Sequence, residues 1–184
     1  RSSRGWPSGV RFRHSAVLLA VTALAWSACG TLSTEPGASV TLTGVAPRPL
    51  PECEWAEVLS VSDGDTIRVR LNGENERLRY IGIDAPELRP ESGPPEPFAE
   101  EAAEANEQLV EGEDICLERD VSDRDRFGRL LRYAWLEDGT LVNEALVLAG
   151  LAEAVEFRPD TKHHDEILQP AEDRAMAARR GIWH

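Results

Sequence analysis

Hydrophobic and polar positions alternate most cleanly over Asp65–Leu71, where Ile67, Val69 and Leu71 share one face and Thr66, Arg68 and Arg70 share the other. That period of two predicts a half-buried strand. An earlier run, Trp55–Val61, reads as a strand ending at the turn Ser62-Asp63-Gly64, and Asn72-Gly73 signals a hairpin into a third strand, Glu76–Ile83. A proline-rich loop, Leu88–Pro97, then leads to a helical run over Phe98–Val110 with acids on its outer face. Two more strands, Ile115–Arg119 and Arg129–Leu136, flank a polar loop at Val121–Gly128. A short helix, Leu141–Ala149, stops at Gly150, and Thr161–Arg180 reads as a last helix that Pro170 must kink or interrupt. Five short strands with helices inserted late predict an α+β domain on a small barrel.

The N-terminal pattern is different. Arginines occur through residues 1–14, and Ala16–Ala28 is a run of small apolar residues too short to span a bilayer. This is the layout of a secretory signal, so residues 1–29 read as an export segment. Ala23-Leu24-Ala25 fits small-x-small cleavage, while Trp26-Ser27-Ala28-Cys29 resembles a lipobox that would leave Cys29 as a lipid anchor. Both remain open. Residues 30–51, rich in Ser, Thr, Pro, Gly and Ala, read as a linker, and the working domain runs over 52–184.

Charge narrows the function. The chain has 33 acidic and 20 basic residues, and removing residues 1–29 leaves 16 basic against 33 acidic. Such a body cannot wrap nucleic acid by general phosphate neutralisation. Chemistry on a polyanion must therefore be local, in a basic or metal-filled pocket.

Certain charges sit where the alternation predicts an inward face. Asp65 shares the parity of Ile67, Arg79 that of Ile81 and Ile83, and Arg129 that of Leu131, Tyr133 and Trp135. Half-buried charges need partners or a metal. The set could converge on a metal and a phosphate, or form an internal Asp–Arg salt bridge. Asp84 and Glu87 follow in Ile83-Asp84-Ala85-Pro86-Glu87, where Pro86 fixes a turn. Asp65 and Asp84 offer the hard oxygens that Ca²⁺ or Mg²⁺ prefers. A metal to polarise a phosphoryl group, a carboxylate to act on water and guanidiniums to grip phosphate make a phosphodiester-hydrolysing set. His163 and His164, with no acid or cysteine at ligand spacing, read as surface residues, and Trp135 and Trp183 as core.

These segments resemble the staphylococcal nuclease (thermonuclease) homologues. The resemblance is carried by Val61–Thr66, by Arg79–Glu87 and by Asp125-Arg126-Phe127-Gly128-Arg129, in order and at similar spacing, with Leu141–Leu146, Gly150-Leu151-Ala152 and Gly181-Ile182-Trp183 following. It covers roughly residues 52–184. It implies a five-stranded OB-fold barrel with three helices and a monomeric, calcium-dependent endo- or exonuclease. Asp65, Asp84 and the Ala85 carbonyl would hold Ca²⁺, Glu87 would act on the attacking water, and Arg79 and Arg129 would grip the phosphate. The implied substrates are single- or double-stranded DNA and RNA, cut to leave 3′-phosphates. A non-catalytic OB-fold module that binds nucleic acid is the alternative. The family has a tyrosine where Phe127 stands and tyrosines in the segment matching Val155–Phe157, so ring stacking would survive here without the hydroxyl contacts.

In an OB-type barrel the first and fourth strands meet, so Cys53, ahead of the first, and Cys116, in the fourth, can form a disulfide. An exported protein permits one. Two unconnected thiols are the alternative.

Overall fold

The structure, a computed structural model, describes residues 44–91 and 93–184. The proposed export segment, Cys29 and most of the linker lie outside the described residues. A closed barrel runs in the order β1 (Glu54–Asp63), β2 (Thr66–Leu71), β3 (Glu74–Tyr80), β6 (Leu130–Trp135) and β5 (Asp114–Glu118). Between β3 and β5 come the two-residue strand β4 (Ile83–Asp84) and helix α1 (Ala99–Val110); α2 (Val142–Leu148), β7 (Glu153–Ala154) and α3 (Gln169–Ala177) follow β6. Only β3 and β6 pair in parallel; the other barrel neighbours are antiparallel. The expected α+β class with a five-stranded OB-type barrel and three helices is what forms.

Local chemistry accounts for the elements. Asn72 (φ 53°) and Gly73 (φ 86°) supply the two left-handed residues of the β2–β3 hairpin. In β1, irregularities after Val58 and Val61 bend a ten-residue strand so that it can close the barrel. Ile67, Val69, Leu78, Tyr80, Ile115, Leu117 and Ala134 fill the interior. Alanines 99, 102 and 105 line the buried face of α1, which lets the helix lie close to the barrel. Gly64 marks that proximity, since a Cβ there would sit 2.8 Å from the Ala102 methyl and 2.6 Å from that of Ala85.

Three expectations need correction. The third strand does not reach Ile83. It ends at Tyr80, the chain turns through Gly82 (φ 76°), and β4 pairs instead with β7 in a separate two-stranded sheet. The terminal helix is shorter than expected and interrupted as Pro170 requires: a π-helical turn, His164–Leu168, runs directly into α3, whose second residue is Pro170. His163 and His164 are also not plain surface residues. His163 packs edge-on against Tyr133 and Trp135 and bonds Glu118 at 2.8 Å, while His164 meets Asp165 at 2.7 Å.

Cys53 and Cys116 form a disulfide, with Cα atoms 5.5 Å apart. It pins the start of β1 to β5 beside the Trp55–Cys116 register pair, at the seam where the barrel closes. Residues ahead of β1 also dock: the Arg48 N–H donates to the Gly139 carbonyl at 3.0 Å, and its guanidinium pairs with the buried carboxylate of Glu144 on α2. At the other end of the domain, the Ile182 N–H donates to the Gly150 carbonyl at 2.9 Å. There, a Cβ on Gly150 would lie 2.2 Å from the Arg180 carbonyl oxygen, and one on Gly181 2.0 Å from that of Gly150.

Candidate active site

The start of β2, the end of β3 and strand β4 meet at one end of the barrel. Asp65 stands just before β2 and is 2% exposed. Its Oδ1 accepts from the Thr66 hydroxyl at 2.9 Å, and its Oδ2 from the Ala85 N–H at 3.0 Å and from Arg79 Nη2 at 2.9 Å. The same Nη2 pairs with Asp84 Oδ1. One guanidinium thus spans two carboxylates delivered by different strands. Burial raises the Asp65 pKa above the ordinary value of 3.8, while Arg79, the Ala85 N–H and the Thr66 hydroxyl pull the other way and Asp84 adds to the rise. Two carboxylates share one guanidinium here, an arrangement that a bound cation would help to balance.

Arg79 does not lie on the inward face, as its parity with Ile81 and Ile83 suggested. β3 ends at Tyr80, and the turn over Ile81–Gly82 breaks that phase. Within β3 the buried side chains are Leu78 and Tyr80, so Arg79 projects to the outer face. Register pairs Arg79 with Thr66 on β2 and with Leu131 on β6. Arg129 lies just before β6, two residues ahead of the half-buried Leu131, and its own side chain is half-buried. Asp65 follows the inward reading.

Arg129 is held by a residue not singled out for a role in the sequence. Asp125 Oδ2 accepts from Arg129 Nε at 2.6 Å, and its Oδ1 accepts the N–H groups of Phe127 and Arg129. Burial opposes ionisation of Asp125, but these Arg129 and Phe127 bonds hold its carboxyl below the usual range. Engaging Nε leaves the two terminal nitrogens of Arg129 for an incoming anion. The available signal was the i, i+4 Asp–Arg spacing around Gly128 (φ 78°). The exposed Phe127 ring lies beneath both Arg126 and Arg129, at 4.7 and 5.6 Å from their guanidinium carbons.

Glu87 follows on an exposed loop beyond Pro86. Its backbone is tied by exchange with Glu96: the Glu87 N–H donates to Glu96 Oε2 and its carbonyl accepts the Glu96 N–H. Asp63 Oδ1 accepts the next N–H, Leu88, at 3.3 Å. Among the described residues the Glu87 carboxylate makes no hydrogen bond or ion pair. Beneath the site, Asn106 on α1 donates to the Asp63 carbonyl at 3.0 Å and accepts the Tyr80 hydroxyl at 2.9 Å, joining the chain segments that carry Asp65 and Arg79.

Asp65, Asp84 and Arg79 are therefore in contact, and Ala85 touches Asp65 through its N–H. Arg129 is reached across the β3–β6 pairing, and Glu87 lies three residues beyond Asp84. Among the described residues no three His, Cys, Asp or Glu side chains cluster as a metal site. A cation here would draw on two carboxylates, a backbone carbonyl and water, a donor set that suits Ca²⁺.

Residues 77–184 match the family described as staphylococcal nuclease homologue. The chain is 37% identical over 127 residues to a thermonuclease of Staphylococcus hyicus, covering 69% of this chain and 74% of that protein. It is 39% identical over 123 residues to the SPbeta prophage-derived endonuclease YokF of Bacillus subtilis (strain 168), and 38% over 123 residues to endonuclease YncB of the same strain. Each of these alignments covers 66% of this chain, but only 41% of YokF and 57% of YncB, less than two thirds of either.

Proposed function

Because the chain belongs to the family of staphylococcal nuclease homologues, we propose that it is an exported, calcium-dependent nuclease hydrolysing phosphodiester bonds of DNA and RNA. The observation that carries the reading is the Arg79 guanidinium lodged between Asp65 and Asp84, two carboxylates and a phosphate-type donor at one point on the barrel. Asp65, Asp84 and the Ala85 carbonyl would hold the cation; when bound, it supplies positive charge that polarises the phosphoryl oxygen.

The side chains do the rest. Arg79 exchanges its carboxylates for phosphate oxygens, and Arg129, oriented by Asp125, meets the same phosphate; both stabilise charge gained in the transition state. Glu87 takes a proton from the attacking water. The water oxygen bonds to phosphorus, the bond to the 5′ oxygen breaks, and that oxygen is protonated from solvent, leaving a 3′-phosphate and a 5′-hydroxyl.

On this reading residues 1–29 direct export, either cleaved away or ending at a lipidated Cys29. Residues 30–51 link that end to the monomeric nuclease domain, 52–184. The Cys53–Cys116 disulfide supports an oxidising compartment. The purified chain is tested on single- and double-stranded DNA and on RNA, with Ca²⁺ and with excess EDTA. Cleavage that needs Ca²⁺ and stops on chelation is expected. Full activity in EDTA would overturn the metal assignment, and Ca²⁺-independent binding without any cleavage would favour a recognition module.

A further inference from the structure

Outside the site, the outer face of β2 and β3 carries a charge arrangement that the fold alone does not call for. Arg68 and Arg77 are direct register partners on adjacent antiparallel strands, and both are exposed. Like charges placed opposite each other across a strand pair destabilise the sheet. Other arginines nearby are relieved by acids: Arg70 by Glu57, Arg79 by Asp65 and Asp84, and Arg129 by Asp125. Among the described residues, neither Arg68 nor Arg77 forms an ion pair or a side-chain hydrogen bond. The neighbour of Arg68 on β1 is Ser60, which is neutral.

Register also places these residues relative to the site. Leu78 pairs with Leu130 and Arg79 with Leu131 in the parallel β3–β6 ladder. Arg77 precedes Leu78 on β3, and Arg129 is the residue immediately before β6. Arg68 and Arg77 thus stand side by side on neighbouring strands, about 4.8 Å apart in the hydrogen-bonding direction, and Arg129 extends the row just ahead of β6, the next strand of the barrel. Arg79 stands two residues further along β3. In a chain carrying 33 acids against 20 bases, the two adjacent arginines Arg68 and Arg77, without an acid partner among the described residues, are a local exception to the surface field.

We propose that this row is a track for single-stranded polynucleotide, in which Arg68 and Arg77 hold phosphates flanking the one gripped at Arg79 and Arg129. The proposal rests on the nuclease reading for its direction, since the track begins at that site. A single strand suits it because the exposed Phe127 ring, beside Arg129, offers a face on which an unpaired base can stack. The track reconciles an acidic body with a polyanionic substrate: attraction is concentrated in one line, and the remaining surface repels other approaches.

The test is Arg68→Ser/Arg77→Ser in the full chain, compared with the unaltered chain. Binding of a labelled single-stranded 20-mer is measured in EDTA, by fluorescence anisotropy across a salt series. Cleavage of the 20-mer and of a trinucleotide is measured in Ca²⁺. Four arginine contacts give a log–log salt slope of about −3, and removing two should reduce it to about −1.4, with affinity for the 20-mer about ten-fold weaker. KM for the 20-mer should rise while kcat, and both constants for the trinucleotide, stay put. Equal affinity and equal slope in the two proteins would overturn the track, as would failure of the unaltered chain to bind the 20-mer. If neither protein cleaves anything but the binding difference appears, the track stands and the nuclease reading fails.

Discussion

Opening the Cys53–Cys116 bond gives the most direct measure of how the barrel is held shut. The bond joins residues 63 apart in sequence, with Cα atoms 5.5 Å apart, so it forbids the unfolded chain a large set of open conformations. The chain-entropy relation for a loop of that length gives about 4 kcal/mol at 25 °C. For a domain of this size each kcal/mol moves Tm by roughly 3 °C, so the midpoint should fall by about 12 °C. Cys53→Ala/Cys116→Ala removes the bond but also trims a fully buried side chain at 116, adding about 1 kcal/mol for the lost packing. Unaltered chain, unfolded in urea with dithiothreitol and refolded in reductant, lacks that second effect. Urea denaturation followed by far-UV circular dichroism on all three samples separates the two contributions. The reduced chain should lose about 4 kcal/mol and the double variant slightly more. Catalysis should persist at low temperature in both, because the bond lies at the opposite end of β1 from Asp63. A loss below about 1 kcal/mol in the reduced chain would refute the constraint argument. So would two free thiols found by mass spectrometry after alkylation of the exported protein without reduction.

Glu87→Gln and Arg129→Ala should each lower the cleavage rate by on the order of 10²-fold while leaving the fold intact by circular dichroism; near-normal turnover in both would move the site elsewhere. Asp125→Asn should act through Arg129, raising KM for the 20-mer, and Arg129→Ala should then add little to Asp125→Asn in a double-mutant cycle. Stability in acid should depend on Glu118. Burial alone would raise its pKa, but His163, Lys162 and Trp135 hold the carboxyl below its ordinary 4.5 in the folded chain. The unfolded chain then takes up this proton first, so the stabilisation is present above pH 4.5 and is lost as pH falls through the lower folded value. Thermal melts between pH 6 and pH 3 should fall more steeply for the unaltered chain than for Glu118→Gln, and parallel curves would remove Glu118 from the acid response.

What the sequence made legible was local. The alternation over Asp65–Leu71 placed Asp65 at the head of an inward-facing row, and it is buried there. Asn72-Gly73 fixed the hairpin and with it the pairing of Thr66 with Arg79. Ordered motifs gave the family, hence the barrel closure that brings Cys53 to Cys116. The misreadings arose where a turn reset the phase or where partners came from far along the chain. The end of β3 at Tyr80 and the turn over Ile81–Gly82 put Arg79 on the face opposite to that expected from Ile81 and Ile83. His163 looked unpartnered because its acid, Glu118, is 45 residues away and meets it only when the segment after β7 folds over β5 and β6. The two-stranded β4–β7 sheet gave no pattern to read, since two-residue strands show no period.

The contact between Gly150 and the chain near Gly181 has a consequence for how such a sequence can change over time. Each position forbids a side chain because the other's backbone occupies the space, and both have positive φ. The cost of a first substitution is the cost of prising the two segments apart; once they have parted, a second methyl meets less resistance. The two glycines are therefore epistatic: neither site can drift alone without leaving the compact form, so the end of α2 and the last turn of the domain are bound to one evolutionary fate although 31 positions separate them.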